Sequence, residues 1–529
     1  MLRTMKILTA ILIVAPLITL VTSASAQRVV NYGMASTGGT ILDPHVTSAR
    51  DDRMFLSMMF DSLTFVTPDF QVLPWLAEEI DSNEDATVFH IRLREGVTFH
   101  DGTALDAEAV KFNFDRIVAP ATGSAMAIWG LPGYIGTEVV DARTVRVEFS
   151  EPNSGFPFRL AGVAGQVQSP TAISAAGDRY HEAPVGTGPF MFGEYVANQY
   201  LSIVRNPDYD WAYPGAGHSG PPMIDEVRYH FIPEDSARAI AFETGAVDII
   251  NWTPVHNVDR YAADPNIELI TMTNPGTGVI VMVNSERSPT DDPAIRKALQ
   301  LITDQQGLVD IAWFGHFRPH EGAVMASAQP SYVDVHEMYP YDPEQAIQVL
   351  EDAGWELGPD GVRVKDGQPA RLVFLGFPIE DRVRAMEVMQ SEAWNIGIDV
   401  EISLGRGPSY NRRRQAGEMN MIMMQYTSDE DVLRGMYHSS EIDTGYNFIR
   451  WRGDEVDALI ERAEQTLDFD EQMLAYAELQ RFLAEEALVI PIAESVEITA
   501  HRSHIEGLGL ISAPRGPAAN FYEVQVIDD

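Results

Sequence analysis

Residues 89–112 read Phe89-His90-Ile91-Arg92-Leu93-Arg94-Glu95-Gly96-Val97-Thr98-Phe99-His100-Asp101-Gly102-Thr103-Ala104-Leu105-Asp106-Ala107-Glu108-Ala109-Val110-Lys111-Phe112. Phe89, Ile91 and Leu93 alternate with polar neighbours, the period of a half-buried strand. His100-Asp101-Gly102 is a turn. Asp106 can cap a helix whose Val110, Phe114 and Ile117 face a core. Strand, turn and capped helix in one short run place the chain in the α/β class.

The same alternation of periods continues outward. Thr144-Val145-Arg146-Val147-Glu148-Phe149 alternates strictly, Val227, Tyr229 and Phe231 repeat the pattern, and so do Ile398, Val400 and Ile402. Helices are marked by their ends. Asp342 followed by Pro343 and Gln345 supplies an N-cap, a first-turn proline and a capping-box partner, and Gly354 closes the segment. Asp292-Pro293 opens another helix through Ile295, Leu299 and Ile302. Val456, Leu459, Ile460, Ala463 and Leu467 form an amphipathic stripe. Gly/Pro punctuation at Gly186-Thr187-Gly188-Pro189, Tyr213 to Pro222 and Asn274 to Gly278 marks turns or boundaries.

At 529 residues the chain is too long for one core, and the length prior gives roughly two to four domains. It contains no cysteine, which excludes disulfide scaffolds, thiolate metal sites and cysteine nucleophiles together. With 37 basic against 77 acidic residues its net charge is −40, which argues against nucleic acid and anionic lipid as partners. Residues 1–26 read as an export signal. Arg3 and Lys6 precede a mostly apolar run from Ile7 to Val21, and Ala24-Ser25-Ala26 gives a small-x-small cleavage pattern before Gln27. Pro16 and the shortness of the run argue against a membrane anchor. The expected product is exported and soluble, most simply in a Gram-negative periplasm.

Catalytic patterns are missing: no Gly-x-Ser-x-Gly elbow, Walker loop, His-Glu-x-x-His or dinucleotide glycine fingerprint occurs. Gly186-Thr187-Gly188-Pro189 lacks the Lys-Ser/Thr of a phosphate loop and reads as a structural turn. His501 and His504 sit amid a strand end and turn, so no metal pair is expected there. Arg412-Arg413-Arg414 could clamp an anion with paired donors, but a solvated helix face is the preferred reading. The expectation is a protein without catalysis, cofactor or directly bound metal.

Segments spread along the chain resemble the family 5 extracellular solute-binding proteins, the dipeptide/oligopeptide/nickel group of ABC importers. They are Leu42-Asp43-Pro44-His45-Val46-Thr47, Leu73-Pro74-Trp75-Leu76-Ala77-Glu78, the 89–112 block, Pro184 to Phe190, Arg205-Asn206-Pro207-Asp208-Tyr209, Gly245-Ala246-Val247-Asp248-Ile249, Val283-Asn284, Ile295-Arg296-Lys297-Ala298-Leu299, Tyr341-Asp342-Pro343 and Ala353-Gly354-Trp355. The resemblance covers essentially everything after residue 26, in order. Three places depart from the family pattern. Asp61-Ser62-Leu63-Thr64 replaces acidic-Gly-Leu-Thr, Asn83-Glu84-Asp85-Ala86 replaces an Asp-Asp-Gly turn, and Ile302-Thr303-Asp304 replaces Ala-Ile-Asp.

The resemblance implies a two-lobe periplasmic binding protein fold with mixed sheets, a two-strand hinge and an extra subdomain on the first lobe. By analogy lobe I comprises 27–276 plus 497–529, with the subdomain around 76–185, and lobe II comprises 277–496. It further implies a monomer that captures a small solute between its lobes. The protein would deliver that solute to an inner-membrane permease powered by a cytoplasmic ATPase. A peptide is the leading ligand; an opine, oligosaccharide or metal chelate is the runner-up, and a sensor passing occupancy to a chemoreceptor is a different class. In peptide-binding members an aromatic followed three residues later by Asp pairs with the ligand's amino terminus. Tyr426-Thr427-Ser428-Asp429 has that spacing, but the family's following Asp-Pro is represented by Asp431-Val432, one residue early and without the proline, so Asp429 matches when counted from the aromatic and Ser428 when counted from that pair. The first-lobe loop Ser36-Thr37-Gly38-Gly39 is a second candidate contact, since glycine permits close backbone approach. Tyr410 and Trp394 are weaker stacking candidates, with a core role the preferred reading for Trp394.

Overall fold

Strand Val88–Leu93 buries Phe89, Ile91 and Leu93 on one face, and Asp106 caps helix Ala107–Val118 by accepting a hydrogen bond from the Ala109 amide at 2.9 Å. The computed structural model containing them describes residues 27–527 except 37, 39, 40, 48, 125, 126, 428, 429, 431, 444, 514 and 515. The export signal over residues 1–26 and the candidate contacts Thr37, Gly39 and Asp429 lie outside the described residues. Strands Ala77–Ser82, Val88–Leu93, Thr144–Phe149 and Tyr134–Val139 pair antiparallel in that order, and the capped helix packs Val110, Phe114 and Ile117 against them. The departure at Asn83–Ala86 proves to be another turn chemistry. The Asn83 side-chain oxygen accepts from the Thr87 and Val88 amides (2.9 and 3.0 Å), and Ala86 takes a left-handed φ of 49°.

Two larger mixed sheets organise the rest. The first has the order Ile267–Thr273, Val496–Arg502, Ile249–Ile250, Val29–Met34, Glu226–Phe231, Tyr200–Arg205, Phe190–Val196. The second has the order Arg318–Pro319, Val489–Glu494, Val279–Val283, Met421–Met424, Arg371–Gly376, Asp399–Leu404. Helices cover the second sheet, with separate apolar clusters on its two sides. Strands Val279–Val283 and Val489–Glu494 are buried at every position, as expected for strands covered on both faces. Among the described residues, no helix is long and apolar enough to cross a membrane.

The family-like turns prove to be anchors of this scaffold. Asp43 pairs with Arg116 at 2.5 Å, Arg116 donates to His45 Nδ1 at 3.1 Å, and His45 Nε2 faces the Gln166 carbonyl at 3.1 Å. Gly186 and Gly188 lie so close to the Met58–Phe60 backbone and ring that a side chain at either would collide with them, while Thr187 donates to buried Asp61. Helix Pro343–Asp352 is capped by Asp342, and helix Pro293–Leu301 by Asp292. Two sequence readings need correcting. Helix Asp454–Gln465 stops short of Leu467, which is exposed, because Asp468 caps a new helix, Phe469–Glu485. Trp394 is 52 % exposed rather than in a core; helix Glu380–Asn395 buries Ala385, Met386, Met389 and Ala393 instead.

Candidate functional site

Strand directions determine where a ligand can sit. The chain passes between the large sheets twice, from Thr273 to Val279 and from Glu494 to Val496. Strand Val496–Arg502 starts at this crossing and runs antiparallel to Ile249–Ile250, which is parallel to Val29–Met34, itself parallel to Glu226–Phe231. The carboxyl ends of those three strands therefore point at the crossing. In the second sheet Met421–Met424 runs antiparallel to Val279–Val283, and Arg371–Gly376 and Asp399–Leu404 run parallel to it. Their carboxyl ends point at the crossing from the other side. Two strand edges of this kind, held face to face by short connections, make the crevice in which α/β sheets bind ligands.

The crossing is tightly bonded. Asn274 donates through its backbone amide to the Ser495 carbonyl and through its side chain to Ser495 Oγ, both at 2.9 Å. Thr277 and Tyr426 exchange bonds at 2.8 Å, from the Thr277 amide to the Tyr426 carbonyl and from the Tyr426 amide to Thr277 Oγ1. Glu494, buried at the end of its strand, accepts from the Ser327 amide (2.7 Å) and hydroxyl (2.6 Å) and lies 3.6 Å from His320. Burial raises the Glu494 carboxyl, but the nearby His320 and the hydrogen bonds from Ser327 outweigh it and hold the group below its usual range.

On the first edge, Ser36 is buried and its hydroxyl accepts from the Gly38 amide at 3.2 Å. Gly38 has φ 74°, a side chain there would strike the Phe231 ring, and its carbonyl accepts from the Tyr195 hydroxyl. The adjoining Ala35 amide donates to Asn251 at 2.9 Å, so the loop is pinned by the edge strand Phe190–Val196 and by the residue that follows Ile249–Ile250. On the second edge Tyr426 follows strand Met421–Met424, Phe377 follows Arg371–Gly376, and Tyr410 stands on helix Gly407–Gln415 just after Asp399–Leu404. Tyr410 packs on Phe377 (centroids 4.9 Å apart), and Tyr426 packs on Tyr446 (5.3 Å).

Neither Tyr410 Oη nor Tyr426 Oη, both buried, has a hydrogen-bond partner among the described residues. Desolvation pushes the Tyr410 hydroxyl up to about 12 and raises that of Tyr426 further, so both stay protonated donors. Thr427 follows Tyr426, half-buried. The structure thus brings Tyr410, Tyr426 and Thr427 to one edge and Ser36 and Gly38 to the opposing one.

The Arg412–Arg414 run is not a uniform solvated face. Arg412 is exposed and Arg413 reaches Ser403 (2.8 Å) and Glu418 (3.6 Å), whereas Arg414 is half-buried and lies over the rings of Tyr410 (6.0 Å), Tyr446 (5.9 Å) and Phe448 (5.4 Å). The sequence reading preferred a solvated face for the whole run and did not single out Arg414, Phe377 or Tyr446 at this edge. The four-residue spacing from Tyr410, which puts both on one helical face, was the available signal.

Comparisons with known proteins agree with this architecture. The family described as bacterial extracellular solute-binding proteins, family 5 Middle, matches residues 71–446. The glutathione-binding protein GsiB of Salmonella paratyphi A is 26 % identical over 483 residues, covering 89 % of this chain and 90 % of its own. The nickel-binding periplasmic protein of Escherichia coli K12 is 27 % identical over 482 residues, covering 85 % and 86 %. Among solved structures, NikA from Brucella suis in complex with Fe(III)-EDTA superposes with a TM-score of 0.83 at 23 % identity, over 94 % of this chain and 100 % of that one; at that identity the likeness speaks for the fold.

Proposed function

The chain belongs to the bacterial extracellular solute-binding proteins of family 5, the solute-capturing components of ABC importers, and from that premise we propose that its solute is a short peptide held between the two strand edges. The observation that carries this reading is the pair of buried tyrosine hydroxyls, without a hydrogen-bond partner among the described residues, at the carboxyl-end edge of the second sheet, beside the crossing. Buried donors without acceptors cost free energy until something supplies the acceptors. A relative named for glutathione, itself a small peptide, supports the ligand class.

In this reading lobe I comprises 27–276 with 497–529 and lobe II 277–496. Export removes residues 1–26, and the mature protein is a periplasmic monomer without catalytic activity that docks on its permease when the lobes close. Ligand drives closure only through its greater affinity for the closed form. Ser36, Thr37, Gly38 and Gly39 contact the solute from lobe I, and Tyr410, Tyr426, Thr427 and Asp429 from lobe II, with Asp429 meeting the peptide ammonium.

The experiment is titration calorimetry of Asp429→Ala and Asp431→Ala with the tightest binder from a panel of di- and tripeptides. Stranding a buried ammonium costs about 2–5 kcal/mol, so Asp429→Ala binds roughly 30- to several-thousand-fold more weakly while Asp431→Ala loses much less. Equal, small losses would remove the amino-terminus contact and with it the argument for a peptide.

A further inference from the structure

We infer that a small contact between the two halves, remote from the crossing, is a latch that sets how long the closed form lasts. The inference rests on the capture-by-closure reading above and adds the part that holds the closed form shut. One side of the contact is the segment from Asn153 to Arg159, which follows strand Thr144–Phe149. Phe156 fixes it to the four-stranded sheet, its ring 4.9 Å from that of Phe89 and 4.8 Å from that of Phe149, and the Asn153 amide donates to the Ala86 carbonyl at 2.9 Å. The other side is the turn between helices Asp454–Gln465 and Phe469–Glu485, fixed to the second large sheet by the buried Val456, Ile460, Met473 and Tyr476. Ser154 donates to the Thr466 carbonyl at 3.4 Å across the gap. Beside that bond Gly155, Phe158 and Arg159 face Phe469, Met473 and Tyr476 over a crevice of about 380 Å³, partly open to solvent.

The packing here is not that of a core. Phe469 is 41 % exposed and Phe158 half-buried, and neither joins the apolar cluster of its own half. Each ring therefore covers apolar surface against the opposite half, and only while the halves meet. A permanent interface would be close-packed; this one keeps unfilled space, so parting it forfeits few contacts and leaves both cores whole. A contact made only in the closed form raises the closed fraction. The apparent affinity for any solute that needs closure rises by the same factor, whatever that solute's chemistry.

The chain has no cysteine, so one introduced pair reports closure cleanly. Ser154→Cys with Thr466→Cys is oxidised with and without solute, and the disulfide is scored by mobility on a non-reducing gel. The solute is the tightest binder from a panel of di- and tripeptides, sugars and nickel chelates. It speeds cross-linking about tenfold or more, because it populates the closed form. In the unliganded cysteine pair, Phe469→Ser slows cross-linking by about 3- to 10-fold, the worth of covering part of one aromatic ring. Gly155→Met speeds it. Gly155 has a φ of −75°, which any residue adopts, the nearest atoms a side chain there would meet are the flexible end of Arg159, and a thioether adapts to an irregular gap.

In the protein without the cysteines, Phe469→Ser weakens solute binding by that same factor and Gly155→Met tightens it, both through the dissociation rate. Melting of each unliganded variant establishes that it is folded. A disulfide that forms equally fast with and without a bound solute, or cross-linking rates that neither substitution moves, overturns the latch while leaving solute capture standing. If no member of the panel binds, the proposed ligand class falls, and the unliganded cross-linking rates still decide the latch.

Discussion

Asp61 has no exposed surface and accepts bonds from Trp211 Nε1 (2.9 Å), Thr187 Oγ1 (3.2 Å) and Tyr209 Oη (3.3 Å). Burial outweighs those donors and pushes its carboxyl up to about 7. His45 and His100 go the other way, desolvation pushing each imidazole down to about 4. Their hydrogen bonds agree. In both rings Nε2 faces a backbone carbonyl, Gln166 at 3.1 Å and Gly188 at 3.0 Å, while Nδ1 faces a donor, Arg116 and the Gly186 amide respectively. Both are neutral Nε2–H rings.

The signs follow from which state holds more protons. Unfolded histidine protonates near 6.5, so the histidine contribution is full above that pH and is lost as pH falls towards 4. Unfolded aspartate ionises near 3.8 while folded Asp61 keeps its proton to about 7, so its contribution is full below 3.8 and is lost as pH rises to 7. At about 1.4 kcal/mol per unit the latter is on the order of 4 kcal/mol. Asp61→Asn removes it. In urea denaturation from pH 4 to 8, the stability of Asp61→Asn relative to the parent climbs by that order as pH rises, whatever constant cost the amide brings. A difference flat in pH would show that Asp61 does not change protonation on folding.

Helix caps carry much of what the sequence reveals about elements, and two of them make a contrast. Asp342 caps helix Pro343–Asp352 through one bond, to the Gln345 amide at 2.8 Å. Asp292 caps helix Pro293–Leu301 through the Ala294 amide (2.9 Å) and also holds Lys365 (2.6 Å) and the Trp355 indole (3.0 Å). Asp342→Ala therefore costs about 1 kcal/mol, the usual worth of a cap, and Asp292→Ala about 2–4 kcal/mol, because it also strands a cation and an indole. Denaturant midpoints of the two variants check the order; equal losses would mean the Lys365 and Trp355 bonds add nothing.

Both caps were legible because a cap is a local pattern. So were the strands Thr144–Phe149 and Glu226–Phe231, whose alternating burial repeats their alternating sequence. Features set by the neighbours a residue meets in space were not legible. Trp394 lies about two and a half turns beyond Ala385 and so faces away from the buried side of its helix, a phase that aromatic character alone does not reveal. Leu467 continued the apolar stripe in sequence after the helix had ended. At the cleft, Tyr426 was named through the resemblance and Tyr410 as a stacking candidate. The stacking of Arg414 over Tyr410, Tyr446 and Phe448 could not be read from the sequence, because two of those rings come from a segment more than thirty residues away.

For the whole molecule, solute binding and stability are one equilibrium. A ligand present at 100 times its Kd adds about 2.7 kcal/mol to the stability of the state that binds it. Thermal melting with di- and tripeptides, sugars and nickel chelates accordingly picks out one chemical class by a rise of some degrees; peptides without effect would send the search to the other classes. The frame in which this happens has little slack. Only Ser495 separates the last residue of one sheet's strand from the first of the other's, and it is bonded to Asn274 on the parallel pass.

One residue spans at most about 3.6 Å, so the lobes have no tether long enough to draw apart at the crossing. Away from the crossing the two halves also touch, as where Ser154 donates to the Thr466 carbonyl at 3.4 Å. Admission of solute is therefore a matter of angle and not of distance. Halves joined in this way would open like a book on its spine, the gap widest at the rim and narrowest beside Tyr426, so that a molecule's length would decide whether the covers could shut on it.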